Sequence, residues 1–225
     1  MIRIVRSRAG DLGPPSIFGR ITIDSTQVCL QTIDRPICEP RDTNHILDEI
    51  DALAQLRGQP NIAQLVGLVV SENPYKTCPS TDMPALIIGF LLEYYPGGSL
   101  EQIIEEAEVQ NGSLPLQWAL QIGRALESLH KRGRSHLDVK PSNIVFDARK
   151  NAILIDISGT GGYMWEWLSP EMQMLIQQDC EIAPANASFE ARIASDCWLM
   201  EDYSRLLPRK VALVQVKNCN QLLMI

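Results

Sequence analysis

Eight residues, His136-Leu137-Asp138-Val139-Lys140-Pro141-Ser142-Asn143, constrain this chain more than any other stretch. An Asp, a Lys two places on and an Asn three further are set between two apolar runs. Leu126 and Leu129 precede them, and Ile144-Val145-Phe146 follow. A second Asp, Asp156, ends the next apolar run, Ile153-Leu154-Ile155. Polar groups so spaced on a rigid apolar floor suit a divalent cation and a phosphate.

The surroundings fit a mixed fold. Ile21, Ile23, Val28, Leu30 and Ile33 alternate loosely, which predicts two short strands with a turn near Asp24-Ser25-Thr26. Asp42-Thr43-Asn44 offers a helix N-cap, and Ile46, Ile50, Leu53 and Leu56 follow at helical spacing until Gly58 and Pro60. Residues 61–70 and 85–94 read as strands. Pro96-Gly97-Gly98 is a turn, and Ser99 with Gln102 forms a capping box for a helix through Ala107. Trp118, Ile122, Ala125, Leu126 and Leu129 give the clearest amphipathic helix, stopped at Gly133. Asp147–Asn151 separates two short apolar runs in the manner of a hairpin. Residues 1–20, punctuated by Gly10, Gly13, Pro14, Pro15 and Gly19, predict no regular element.

Bulk properties narrow the class. A net charge of -7 argues against a general nucleic-acid binder. The longest strongly apolar run, residues 85–92, is too short to cross a bilayer. No secretory signal is visible, and the six cysteines stand at no metal-finger spacing. A soluble, cytoplasmic protein with reduced cysteines is the expectation.

The loop His136–Asn143 resembles the catalytic loop of eukaryotic protein kinases, His-Arg-Asp-x-Lys-Pro-x-Asn. Further matches follow in order. Leu92 to Leu100 is similar to the interlobe hinge, Ser169-Pro170-Glu171 to the close of the activation segment, and Ser195-Asp196-Cys197-Trp198 to the start of the central helix of the C-lobe. The resemblance implies an α+β, two-lobed fold. A small β-rich N-lobe is expected over about 1–93, a hinge at 94–98 and a mainly helical C-lobe over 99–198. The tail 199–225 is too short for the helices that usually complete that lobe, so the fold is expected to be incomplete there.

The resemblance also implies roles. Asp138 would accept the proton of a substrate hydroxyl, and Lys140, typical of the Ser/Thr branch, would neutralise the transferring phosphate. Asn143 and Asp156 would hold Mg²⁺, and the backbone at Glu93 and Tyr95 would hold the adenine of ATP. Glu49 takes the place of the ion-pairing Glu of the first helix. Leu53, Leu65, His136 and Ile157 fall where the family stacks a regulatory spine. Asp196 would brace the loop backbone. The implied cofactors are ATP and Mg²⁺, and the implied partner is a protein substrate or a scaffold partner, with neither nucleic acid nor membrane.

Departures from the family bear on activity. No Gly-rich phosphate loop is visible. Gln31 stands where Val28-Cys29-Leu30-Gln31 should end in Lys, and the first Lys of the chain is Lys76. A charged hydrogen bond to phosphate is worth ~1.5–3 kcal/mol, so its loss costs on the order of 10–100-fold in rate. Gln31, or alternatively Arg35 or Arg41, is expected to answer Glu49. Leu137 replaces the Arg that receives a phosphorylated activation loop, which predicts no activation by that route. Asp156-Ile157-Ser158 stands for Asp-Phe-Gly with the glycine one place late, and Gly159–Gly162 reads as a flexible loop. A Ser/Thr phosphotransferase is the first reading, and a pseudokinase that binds nucleotide or acts as a scaffold is the alternative. Transfer to a small molecule fits the Ser-Pro-Glu close and the Ser-Asp-x-Trp helix less well.

Overall fold

The computed structural model of the chain describes residues 3–6, 18–23, 26–33, 40–71, 86–110, 115–159, 165, 168–179 and 183–205. They fall into two compact units: residues 1–44 with 63–94, and residues 45–62 with 95–225.

The first unit is a five-stranded sheet. Its strands are β1 (Arg3–Arg6), β2 (Phe18–Ile23), β3 (Thr26–Thr32), β4 (Leu65–Ser71) and β5 (Leu86–Glu93), in the order β1-β4-β5-β3-β2. All pairings are antiparallel except β1 with β4. Sequence punctuation gave no hint of β1, because its partner lies some sixty residues away and its register is set by β4. Period-two alternation buries Val28 and Leu30 of β3, which meet Val69 and Leu91 in one apolar cluster. Gly89 is required where β5 crosses β3: a Cβ there would lie 2.6 Å from the Gln31 carbonyl oxygen.

Two boundaries differ from the sequence reading. The strand expected over 61–70 begins only at Leu65, because Asn61 has φ 64° and its side chain donates to the Ala152 carbonyl at 2.8 Å. Helix α1 (Pro40–Gln55) starts ahead of the expected cap at 42–44. Proline suits that first position because it has no amide hydrogen to leave unpaired. From His45 onward the residues of α1 group with the second unit, rather than with the sheet as the expected lobe boundary at 93 had it.

The second unit is helical with one hairpin. It holds most of α1, then α2 (Leu100–Gln110), α3 (Leu116–His130), β6 (Ile144–Phe146), β7 (Ala152–Leu154), α4 (Pro170–Gln178) and α5 (Phe189–Arg205). The capping box forms as read: Ser99 N–H donates to Gln102 Oε1 at 3.0 Å, and Gln102 N–H to Ser99 Oγ at 3.3 Å. Helix α3 buries Ile122, Ala125, Leu126 and Leu129, and Gly133 beyond its end has φ 71°.

Helix α3 also fixes the hairpin. Trp118 Nε1 donates to the Lys150 carbonyl at 3.0 Å, and its ring lies 4.4 Å from that of Phe146. Gln121 Oε1 accepts from Ala152 N–H at 2.8 Å. Inside the turn, Asp147 Oδ1 accepts from the amides of Arg149 and Asn151, each at 2.8 Å. The stretch Tyr95–Ser99 is strapped to β6: Gly97 N–H donates to the Phe146 carbonyl at 2.8 Å, and Phe146 N–H to that of Gly98 at 3.0 Å. The chain between α3 and β6 is thereby stretched over a braced floor, and Asp156 follows β7 at a set place.

Residues 7–17, with Gly10 and Gly13, Arg35, the loop 160–164 and the tail 206–225 lie outside the described residues. Among the described residues no helix is long and apolar enough to cross a membrane.

Candidate active site

The loop 136–143 is built around a buried carboxylate from α5. Asp196, fully buried, accepts from His136 N–H at 2.9 Å, from Leu137 N–H at 2.7 Å and from His130 Nε2 at 2.8 Å. Charge-assisted bonds to backbone amides are short and strong. They hold Leu137 at φ 64°, a conformation side chains seldom adopt. The Leu137 side chain is buried with Leu168 and Met172. An apolar contact therefore occupies the position where the family resemblance expects a cation.

His136 links the loop to the strand ahead of Asp156. Its Nδ1 accepts from Asp138 N–H at 3.2 Å, which places the ring proton on Nε2, and Nε2 donates to the Ile155 carbonyl at 2.9 Å. Asn143 reinforces the link, because its own carbonyl accepts from Ile155 N–H at 3.0 Å.

Asp138, Lys140 and Asn143 come together directly. Asp138 Oδ2 accepts from Lys140 Nζ at 2.6 Å and from Asn143 Nδ2 at 3.0 Å. Asn143 Nδ2 also donates to the Asp138 backbone carbonyl at 2.9 Å. Asp138 Oδ1 is buried and has no hydrogen-bond partner among the described residues. A buried acceptor with no partner is costly, and a hydroxyl delivered to it would relieve that cost. The amide group of Asn143 is committed as donor, which leaves its Oδ1 as an acceptor.

Asp156 is exposed and follows this triad at φ 57°. Its neighbour in charge is Glu49 of α1. Burial pushes the Glu49 carboxyl up to about 7, with the Asp156 charge adding to the rise. Among the described residues no cation pairs with Glu49; the side chain of Arg41 lies outside them. Asp156 and Asn143 Oδ1 are hard oxygen donors of the kind Mg²⁺ takes, one or two from protein with the rest from phosphate and water. No group of three or more His, Cys, Asp or Glu side chains is gathered among the described residues.

The other expected site residues lie elsewhere. Gln31 pairs with Phe90 within the sheet unit and is half-buried. Glu93 ends β5, and its N–H donates to the Gln64 carbonyl at 3.0 Å. Tyr95 is half-buried at the start of the second unit. The four residues expected to stack as a spine, Leu53, Leu65, His136 and Ile157, are each 1 % exposed.

Of the stretch Gly159–Gly162 read as a flexible loop, only Gly159 lies among the described residues, and it is held in place. It is buried at φ 64°, and a Cβ on it would lie 2.2 Å from the Ser135 carbonyl oxygen. The glycine is needed one place late because that is where the backbone passes Ser135. Sequence reasoning also missed a group of arginines, Arg132, Arg134 and Arg192, that share one pocket. Arg192 is 58 residues beyond Arg134, and no local pattern connects them.

Comparison with known proteins agrees with this architecture. The protein kinase domain family matches residues 20–160, more than half of the chain. The serine/threonine-protein kinase Warts of Drosophila melanogaster is 30% identical over 157 residues, covering 69% of this chain and 13% of Warts. The serine/threonine-protein kinase VHS1 of Saccharomyces cerevisiae is 31% identical over 108 residues, 47% of this chain and 22% of VHS1. The probable inactive leucine-rich repeat receptor kinase XIAO of Oryza sativa subsp. japonica is 39% identical over 80 residues, 33% of this chain and 6% of XIAO. The chain thus spans less than a quarter of the length of each of these three relatives. The matched family, the sheet and helices it calls for and the order of motifs along the chain agree, and the chain belongs to the protein kinase domain family.

Proposed function

We propose that this chain is a phosphotransferase that moves the γ-phosphate of Mg-ATP to a Ser or Thr hydroxyl of a protein. The observation that carries the reading is the state of Asp138. One carboxylate oxygen is fixed by Lys140 and Asn143, and the other is buried and unpartnered among the described residues. Asp138 would orient the incoming hydroxyl through Oδ1 and take its proton. A carboxylate is a weak base, so its value is mainly in positioning the attacking oxygen. Lys140, already beside Asp138, would offset charge on the transferring phosphoryl group. Asn143 and Asp156 would hold Mg²⁺, which when bound neutralises phosphate charge. The backbone near Glu93 and Tyr95 would take the adenine.

A second reading, a catalytically impaired kinase domain that binds nucleotide or serves as a scaffold, is favoured by two observations. Gln31 stands in β3 in place of Lys, and Glu49 is buried beside Asp156 without a cation among the described residues. The relative XIAO carries the description probable inactive, so loss of activity accompanies sequence similarity at least there. The two readings part on phosphotransfer. With γ-labelled ATP, Mg²⁺ and a generic basic protein substrate, the first predicts slow label transfer that falls 10²-fold or more in Asp138→Asn. Transfer that is equal in wild type and Asp138→Asn, or absent from both, favours the second.

A further inference from the structure

A pocket of about 380 Å³ lies within the second unit, apart from the Asp138 triad. Its wall takes Asp48 from α1, Arg132 and Arg134 from the turn after α3, Ser158 and Gly159 after β7, and Arg192 from α5. Four separate segments line the cavity, and two of them, the turn after α3 and α5, supply its three arginines.

These cations are poorly answered by the protein. Arg134 Nη2 pairs with Asp51 Oδ2 at 2.5 Å, and Arg134 Nη1 makes a long contact of 3.5 Å to the Asp48 carbonyl. Arg132 Nη1 donates to the Ser128 carbonyl at 2.9 Å. Arg192 Nη1 donates to Ser135 Oγ at 3.2 Å, and its guanidinium lies 5.4 Å from the centre of the Phe189 ring. Among the described residues only Arg134 has a carboxylate partner. Three guanidiniums against Asp48 and Asp51 leave one net positive charge.

Arg192 adds a separate observation. Its Nε is buried and has no hydrogen-bond partner among the described residues. The Nε edge of a guanidinium, with one Nη, is a fork that fits two oxygens of a carboxylate or phosphate. Here the edge is idle and costly to leave so. A phosphate, with more equivalent oxygens and up to two charges, can satisfy forks from more directions than a carboxylate.

We propose that the pocket lined by Arg132, Arg134 and Arg192 is a binding site for a phosphate dianion, free or as the monoester of a phosphorylated side chain. The site is separate from phosphotransfer, and it stands or fails independently of whether Asp138 is catalytic.

The test uses the full chain with ¹⁵N-labelled arginine, titrated at constant ionic strength with inorganic phosphate and, separately, with O-phosphoserine. The Arg192 Nε–H resonance should move saturably. Arg132→Gln, on an exposed side chain that leaves the fold undisturbed, and Arg192→Gln should each weaken binding about 10-fold or more. Arg149→Gln, on the hairpin turn, and Lys140→Met should leave it unchanged. Tighter binding of O-phosphoserine assigns the site to a phosphorylated side chain, and equal or weaker binding assigns it to free phosphate. A drift that does not saturate and is the same in every variant overturns the proposal. So does loss confined to Lys140→Met, which would put the anion in the phosphotransfer site.

Discussion

Asp138 has two carboxylate oxygens, and the loop uses only Oδ2. The asymmetry follows from short spacing: Lys140 and Asn143 approach the same oxygen from two and five residues away. Such local geometry is legible in sequence, and Asp138, Lys140 and Asn143 were singled out there by their resemblance to the kinase catalytic loop. Glu49 was placed by the same pattern but its surroundings were not, since they depend on burial of α1 and on Asp156, 107 residues away. The folded Glu49 carboxyl, raised to about 7 from an ordinary 4.5, binds a proton that the unfolded chain releases. Its stabilising effect is therefore fully present below about pH 4.5 and is lost as pH rises to about 7. In metal-free buffer, Glu49→Gln should raise Tm relative to wild type at pH 8, by ~1–3 kcal/mol of stability. The gain should vanish by pH 5. Equal Tm differences at both pH values would show that Glu49 does not titrate in this window. Gln31→Lys tests the other departure: supplying the missing cation should raise phosphotransfer about 10–100-fold. An unchanged rate would mean that this position no longer limits activity.

At the scale of elements, the loop is held from two sides. Helix α5 offers Asp196 to two loop amides and to His130. Asp196→Ala would leave two buried amides and the half-buried His130 Nε2 unpaired, and by the cost of breaking a buried charged network it should lose ~3–5 kcal/mol, read by urea unfolding. A loss under 1 kcal/mol would mean that water replaces the carboxylate freely. On the other side, the hairpin carries the strap at Gly97. A Cβ there would lie 2.6 Å from that of Phe146 and 2.8 Å from its carbonyl oxygen. Gly97→Ala should cost ~1–3 kcal/mol by overpacking, and Pro96→Ala next to it, on an exposed residue, far less. Elements whose signals are local were readable: the capping box at Ser99, helix α3 and the turn at Asp147. Those set by distant partners were not. β1 depends on pairing with β4, Asn61 leaves the strand because Ala152 captures its side chain, and Gly159 is fixed by Ser135.

Across the whole molecule, the kinase fold was legible because ordered motifs spread over most of the chain constrain each other more than any one of them does. The structure groups those motifs into a sheet unit with Gln31 and Glu93, and a helical unit with Glu49, Asp138, Lys140, Asn143 and Asp156. The proposed phosphate grip is thus weakened in the first unit, while the proposed metal and base residues of the second are retained. The central claim is that the retained half still binds nucleotide through Mg²⁺. A thermal-shift titration with ATP, with and without Mg²⁺, on wild type and Asp156→Ala tests it most directly. A ligand that binds only the folded state stabilises by RT ln(1 + [L]/Kd), ~2.7 kcal/mol at a hundredfold excess over Kd. The expected result is a saturable rise in Tm for wild type that requires Mg²⁺ and is lost in Asp156→Ala. No rise at any ATP concentration, or a rise that is the same without Mg²⁺ and in Asp156→Ala, would contradict it.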